Sequence, residues 1–172
     1  MIVNKLKEII NKMDAPELQE LILVLNSKSK EVKTLLDVYF GSVDIDKEFQ
    51  TALDKVEKCF KRKGDYKMSR PKLKDAKKYI ADFKKLFGNR DHKVLELNLY
   101  YCELIIGMFV EFGGGDENWE YSMDAVFEDC CKYIKEFDLE SLYLKKLKEL
   151  DSFGGDYFEN LNFYINEFFI TK

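Results

Sequence analysis

The segment from residue 91 to residue 112 reads DHKVLELNLYYCELIIGMFVEF, and it decides the fold class of this protein. On an α-helix its apolar residues cover most of the circumference, and they do not alternate with the period of two that a strand requires. A helix that is apolar on nearly every side must be covered by neighbours on several sides. We therefore expect this segment to be the central helix of an all-helical domain.

Helical periodicity runs along almost the whole chain of 172 residues, and no segment shows a convincing strand pattern. Short turns that contain glycine or aspartate separate the periodic segments. The sequence predicts an all-α fold, with residues 1–172 as a single domain built as an antiparallel array of about eight or nine helices. We expect these helices at about residues 2–12, from 14 onward, 29–40, 46–62, 71–87, 91–112, from 116 onward, 139–150 and 156–169.

Four of the predicted helices around the central one carry an apolar face that we expect to point into the core. Asp14 and Glu17 have the spacing of a capping box, which marks the start of the second helix, and Ser69 is placed to cap the helix at 71–87. The residues expected to point inward are Leu18, Leu21, Ile22 and Leu25; Val32, Leu35, Leu36 and Tyr39; Leu73, Ala76, Ile80, Phe83 and Phe87; and Trp119, Met123, Val126, Cys130, Ile134 and Phe137.

One short sequence pattern occurs twice in the chain and bears on the predicted architecture. Phe112, glycines and Asp116 are matched about forty residues later by Phe153, two glycines and Asp156. This period is typical of HEAT-like or superhelical repeats. Two helices that each end in glycine before an aspartate cap give the same pattern, so both interpretations stay open.

Composition indicates a folded cytoplasmic protein. Hydrophobic residues make up 46% of the chain and charged residues 35%, which excludes a disordered polymer. Charges recur every few residues in the N-terminal segment, so we expect neither a signal peptide nor a membrane span. The cysteines show no CxxC spacing and we expect them to be reduced and mostly buried, which fits the cytoplasm; they are Cys59, Cys102, Cys130 and Cys131.

Charge is distributed unevenly along the chain. Residues 55–85 hold thirteen Lys or Arg and four Asp or Glu, a net charge of +9. Residues 91–172 hold seven basic and eighteen acidic residues, a net charge of −11. Such asymmetry favours an anionic partner for the basic segment, although the sequence pI of about 5.3 disfavours general attraction to polyanions.

The basic segment is the candidate site for nucleic acid or another polyanion. Lys74, Lys78 and Lys85 fall in one row of the helix at 71–87, because four and seven residues are close to whole turns. Other basic side chains lie in or beside the preceding loop, near the partial positive charge of the helix N-terminus: Arg62, Lys63, Lys67, Arg70 and Lys72. The alternative is a solvated face that pairs with the acidic half of the same chain.

A polar line on the central helix is the candidate ligand site. It includes Glu96, Tyr100 and Glu103, and the two carboxylates are two turns apart, about 10 Å along the helix axis. For Glu103 the sequence favours a buried carboxylate bonded to a tyrosine, lysine or arginine over a ligand contact. His92 is the only histidine and no ExxH motif is present, so we expect no metal site and no cofactor.

No residue set in the sequence amounts to an enzyme signature. A single histidine leaves serine and cysteine side chains without an obvious partner base, and Cys102 fits a small core residue better than a reactive thiol. Glu120, Asp124 and Glu128 make an acidic stripe that we interpret as a solvated face. We therefore expect a protein that is not an enzyme.

Two stretches carry a resemblance to a known family. They are RPKLKDAKKYIADFKKL, residues 70–86, and LNLYYCELIIGMFVEFGGGDENWEYSMDAVFE, residues 97–128. Both resemble a family of short bacterial helical proteins that is catalogued only as a domain of unknown function. The resemblance implies one cytoplasmic helical domain, with no established activity and no catalytic residue to carry over.

The function that these observations favour is a non-enzymatic protein-interaction module that docks a protein partner. Binding of nucleic acid or another polyanion through residues 55–85 is the alternative. A small-molecule or enzyme site around Glu103 is a weaker alternative, which requires this side chain to face a cavity.

Overall fold

A computed structural model describes residues 7–61, 70–88 and 92–170. Every regular element in these ranges is helical, which confirms the predicted all-α fold. Residues 7–10 are helical, and eight α-helices with defined bounds follow them in the described ranges. They are α1 Ala15–Lys28, α2 Lys30–Tyr39, α3 Ile45–Lys58, α4 Leu73–Phe87, α5 Lys93–Phe112, α6 Glu117–Glu136, α7 Glu140–Gly154 and α8 Asn160–Ile165, which continues as a π-helix over Asn166–Ile170.

The chain divides into two compact units, Met1–Ile45 and Asp46–Lys172. The first unit contains α1 and α2. The second contains α4 to α8 and all of α3 after its first residue. The single domain expected from the sequence stays a prediction.

In the first unit, local hydrogen bonds fix the helix ends. The Asp14 carboxylate accepts a hydrogen bond from the Glu17 amide at 2.8 Å, and the Glu17 carboxylate accepts one from the Asp14 amide at 3.0 Å. This capping box is the one predicted from the sequence. Ser29 ends α1 and also caps α2, because its hydroxyl accepts a hydrogen bond from the Val32 amide at 3.2 Å. The two helices pack against each other.

The core of the second unit surrounds α5. This helix packs against α4, α6 and α7, and half of its residues are buried. Tyr101, Cys102, Ile105 and Ile106 have no exposed surface. The apolar circumference read from the sequence thus identified the central helix correctly.

The flanking helices bury most of the faces predicted for them. In α4, Ala76, Ile80, Phe83 and Phe87 are buried as expected, whereas Leu73 is only partly covered. In α6 the expected residues Trp119, Met123, Cys130 and Ile134 are buried. Two residues were assigned wrongly, since Val126 is only partly covered and Phe137 is exposed. The fully buried aromatic residue of α6 is Phe127.

Helix α3 ends earlier than predicted. It ends at Lys58 and not at residue 62, because Cys59 and Phe60 donate to carbonyls three residues back and so close a tighter turn. The carbonyl of Cys59 then accepts a hydrogen bond from the Lys72 amide at 3.0 Å. Helix α4 begins just after this bond, at Leu73, and the predicted cap Ser69 lies outside the described residues.

The segment between α7 and α8 also differs from the prediction. Helix α7 continues to Gly154, which is buried, and α8 begins at Asn160 instead of residue 156. Phe158 lies between them, almost completely buried, and its amide donates to the Gly154 carbonyl at 3.0 Å. The backbone of Gly113 at the end of α5 is left-handed, whereas that of Gly155 at the end of α7 is right-handed. The two copies of the sequence pattern therefore adopt different conformations.

Candidate interaction surfaces

Helices α1 and α2 expose half of the apolar residues that the sequence predicted to lie in the core. No described side chain in residues 7–45 is buried. Leu23 is 59% exposed, Tyr39 73% and Phe40 71%. We call the exposed large apolar residues of these two helices and the Phe40 cap the N-terminal apolar surface: Ile22, Leu23, Val24, Leu25, Leu35, Tyr39 and Phe40.

This arrangement corrects the prediction for the second and third helices. Leu18, Leu21, Val32 and Leu36 are partly covered, but Ile22, Leu25, Leu35 and Tyr39 are exposed. The physical reason is visible in the run LILVL at residues 21–25, which places apolar side chains on every side of α1. One helix of similar length covers only one of those sides. The run is therefore the sequence signal for an interaction surface, although Leu21, Ile22 and Leu25 within it were predicted to lie in the core.

The basic candidate residues on α4 lie in solvent. Lys74, Lys78 and Lys85 are exposed and share one row of the helix. Lys85 has Asp82 of the same helix at 3.5 Å, whereas Lys74 and Lys78 have no ion-pair partner among the described residues. Exposed pairs of this kind contribute about 0–1 kcal/mol. The row is therefore a solvated positive surface, which we call the α4 basic row.

Two of the other basic candidates, Arg70 and Lys72, lie in the described residues. Lys72 is exposed, and the Arg70 guanidinium lies 3.9 Å from the Asp116 carboxylate with 83% of its side chain exposed. This ion pair joins the basic segment to the acidic C-terminal half of the chain. Arg62, Lys63 and Lys67 lie outside the described residues.

The polar line on α5 connects this helix to α7. The Lys146 ammonium donates to Glu103 at 2.6 Å, and the Tyr143 hydroxyl donates to Glu96 at 3.2 Å. The predicted lysine partner of Glu103 is thus correct, but its predicted burial is wrong, because 43% of the side chain is exposed. A carboxylate at the edge of two packed helices keeps contact with water, so the pair needs no buried charge.

Tyr100 lies between these two carboxylates and is half-buried. Burial raises the pKa of its hydroxyl, and the negative charges of Glu57, Glu103 and Asp54 raise it further. A depression of about 350 Å³ lies beside α5 and α6, but its lining includes Asn98 and Tyr133 and none of the three candidate residues. The ligand site around Glu103 stays a prediction.

The acidic stripe on α6 is less solvated than predicted. Glu120, Asp124 and Glu128 are all partly buried. Asp124 accepts a hydrogen bond from the Asn160 side chain at 2.6 Å, and Glu128 pairs with Lys132 at 2.5 Å. Burial raises the pKa of Asp124, while the bond from Asn160 lowers it. Asp124 therefore contributes to the contact between α6 and α8.

The four thiols are buried and free, as predicted. Burial raises the pKa of Cys131 to about 12 and raises that of Cys102 and Cys130 as well. Thiols that stay protonated are poor nucleophiles. In the described ranges, no group of three His, Cys, Asp or Glu residues is placed to hold a metal ion. Nor does any described helix combine the length and apolar character that crossing a membrane requires.

Comparisons of this chain with protein-family models, with curated proteins and with solved structures gave no match. The resemblance to the bacterial helical family therefore stays a prediction.

Proposed function

We propose that this protein is a non-enzymatic protein-interaction module whose docking surface is the N-terminal apolar surface. The observation that carries the proposal is the exposure of seven large apolar side chains on two short adjacent helices. Contiguous apolar patches on a protein surface mark sites where another molecule binds. An apolar face on paired helices fits an amphipathic helix of a protein partner, which packs its own apolar side chains between theirs.

Site-specific crosslinking tests this proposal. A photoreactive amino acid replaces Leu23 in the full chain, and the matched control carries it at Leu142, a leucine of α7 that is 67% exposed. We expect a discrete protein adduct from position 23 and none from position 142, with the partner identified by mass spectrometry. Adding Leu25→Glu is expected to reduce the adduct, because a charge in an apolar contact must be desolvated. Equal labelling at both positions, or none at either, contradicts the proposal.

The α4 basic row favours a second candidate function, which is binding of nucleic acid or another polyanion. Its support is the exposure of Lys74, Lys78 and Lys85, together with the absence of an ion-pair partner for the first two among the described residues. Three positive charges in one row attract a phosphate backbone, and this attraction weakens with salt. The row is short, so affinity would be modest.

A cytoplasmic location is also part of our proposal. Four buried cysteines remain free, and none forms a disulfide. Free cysteines are typical of proteins from a reducing compartment. We infer that the module meets its partner in the cytoplasm.

A further inference from the structure

We propose that the partner of the N-terminal apolar surface is a second copy of the same chain, paired antiparallel along α1 about Val24. This inference rests on the proposed function and names its partner. The two copies would be related by a twofold axis, so that the same surface of each chain contributes to the contact. Two helix pairs brought together in this way make a four-helix bundle.

The charge pattern of α1 is complementary to itself when one copy is reversed. Glu20, Val24 and Lys28 lie at spacings of four residues and share one side of the helix. All three are exposed, with Val24 midway between the acid and the base. Glu20 and Lys28 are about 12 Å apart along the axis. An antiparallel pair centred on Val24 therefore places each Glu20 opposite Lys28 of the second copy.

A parallel pair has the opposite consequence. It sets Glu20 against Glu20 and Lys28 against Lys28, which costs free energy at both ends. The antiparallel pair also aligns the two helix dipoles in opposite directions, which is favourable. The one acidic residue in the first turn of α1, Glu17, and the lysine in its last turn, Lys28, have the same polarity. Charge thus favours the antiparallel direction for a pair of identical copies.

The first unit also lacks the usual internal sources of stability. Its described residues bury no side chain, and residues 1–45 contain neither cysteine nor histidine. Small units bury a small fraction of their surface and are only marginally stable, and association is one way to stabilise them. A second copy supplies apolar cover on the sides of α1 that α2 does not reach. Val24 and Leu23 are two of the side chains that would become buried.

Charge reversal in the full chain tests the proposal. We expect the wild-type protein to dimerise reversibly in sedimentation equilibrium. Glu20→Lys alone and Lys28→Glu alone are each expected to weaken dimerisation about tenfold, because each creates two like-charge contacts across the twofold axis. An equimolar mixture of the two variants is expected to form mixed dimers, since every contact is again between opposite charges. The matched control is Glu149→Lys on α7, which leaves dimerisation unchanged.

A symmetric crosslink tests the register. The native thiols are buried, so Val24→Cys supplies the one exposed thiol among the described residues. A residue on a twofold axis meets its own copy within the distance that a disulfide spans. We expect mild oxidation to give a covalent dimer from Val24→Cys and none from Leu142→Cys. A chain that stays monomeric, or a mixture of charge variants that does not pair, overturns the proposal.

The crosslink from position 23 separates the two proposals. An adduct whose partner is this same chain supports both. An adduct with a different protein overturns self-pairing but supports the interaction-module proposal. An adduct with residues 46–172 of the same molecule overturns both proposals. The absence of any adduct overturns both.

Discussion

Gly154 determines how closely α7 approaches α5. A Cβ atom added at this position would lie 2.6 Å from Cγ2 of Ile106, and Ile106 is fully buried. The clashing methyl belongs to a β-branched side chain with little rotamer freedom, so it cannot move aside cheaply. The neighbouring Gly107 of α5 has open space where its Cβ would be. An added Cβ atom would therefore clash at Gly154 but not at Gly107.

This contrast gives a matched pair of variants. We expect Gly154→Ala to lower the free energy of unfolding by about 1–3 kcal/mol through overpacking. Gly107→Ala is expected to raise it by about 0.5–1 kcal/mol, because alanine loses less backbone entropy in a helix. Denaturant titration of both variants measures the difference. If Gly154→Ala were as stable as Gly107→Ala, the close approach of α7 to α5 would be wrong.

The buried thiols and tyrosines make stability depend on pH on the alkaline side. Burial raises the pKa of Cys131 from its ordinary 9.0 to about 12, and raises that of Tyr101 from 10.0 to about 12. The folded chain therefore keeps these protons over a range in which the unfolded chain releases them. Unfolding then becomes more favourable as pH rises. The contribution of these groups to the free energy of unfolding is complete below about pH 9 and is lost between about pH 9 and pH 12.

Thermal melting across this range provides the measurement. We expect the midpoint to be constant from about pH 7 to pH 8.5 and to fall steadily above pH 9. Cys131→Ala is expected to make the fall shallower between about pH 9 and pH 10, before the tyrosines titrate. A midpoint that does not change up to about pH 11 is the contrary outcome.

At the scale of single elements, α4 shows what the sequence predicts well. Its bounds were predicted within about two residues, and Lys74, Lys78 and Lys85 share one row of the helix as their spacing predicted. Spacing alone does not state whether a row of lysines meets solvent or another part of the chain. That depended on the packing of α4 against α5, which buries the opposite face.

The α4 basic row leads to a prediction about polyanion binding. If the row binds nucleic acid, replacing Lys74, Lys78 and Lys85 by glutamate will weaken binding of a short labelled DNA duplex by at least about tenfold at low salt. The matched control makes the same three reversals at Lys12, Lys145 and Lys148, which changes the net charge equally but leaves α4 intact. The readout is an electrophoretic shift at several salt concentrations. Equal losses in both variants, or no binding by the wild type, remove this candidate.

The acidic stripe on α6 was predicted from its spacing to lie in solvent, and this prediction is wrong for part of its surface. The spacing of Glu120, Asp124 and Glu128 is that of one helix face, and a face of carboxylates usually lies in solvent. Here the side chains of Asn160 and Lys132 bond to two of these carboxylates, and all three are partly covered. Asn160 is 36 residues from Asp124 in the chain, so no local pattern announces the contact.

At the scale of the whole molecule, the two compact units differ in how much side chain they bury. Residues 46–170 include every buried side chain that the structure describes, from Phe49 to Ile165, and residues 7–45 include none. Local opening is easiest where few apolar contacts hold a segment. The two units are therefore expected to differ in stability.

Hydrogen exchange measures this difference directly. We expect the amides of α1 and α2 to exchange at least about tenfold faster than those of α5 and α6 in a dilute sample. Raising the protein concentration is expected to slow exchange in α1 and α2 only, since a second copy protects the folded form by mass action. The amides of α7 are the control. Equal protection in both units at every concentration would contradict this expectation.

The sequence by itself determined the fold class, the central position of α5, the capping box at Asp14 and the buried state of the four cysteines. These features follow from the period of apolar residues and from hydrogen bonds within a few positions, so they are local. The sequence also located the lysine row that forms one candidate surface, because a row on a helix depends on spacing alone.

Only the tertiary structure decided which apolar faces are covered. Apolar residues of α1 and of α4 were both predicted to lie in the core, yet those of α4 are mostly buried, whereas Ile22 and Leu25 of α1 are exposed. The period of apolar residues predicts that a helix face is apolar. Whether that face is buried depends on residues distant in the chain and on how many helices pack around the element. For this reason four of the seven residues of the N-terminal apolar surface, Ile22, Leu25, Leu35 and Tyr39, were predicted to lie in the core.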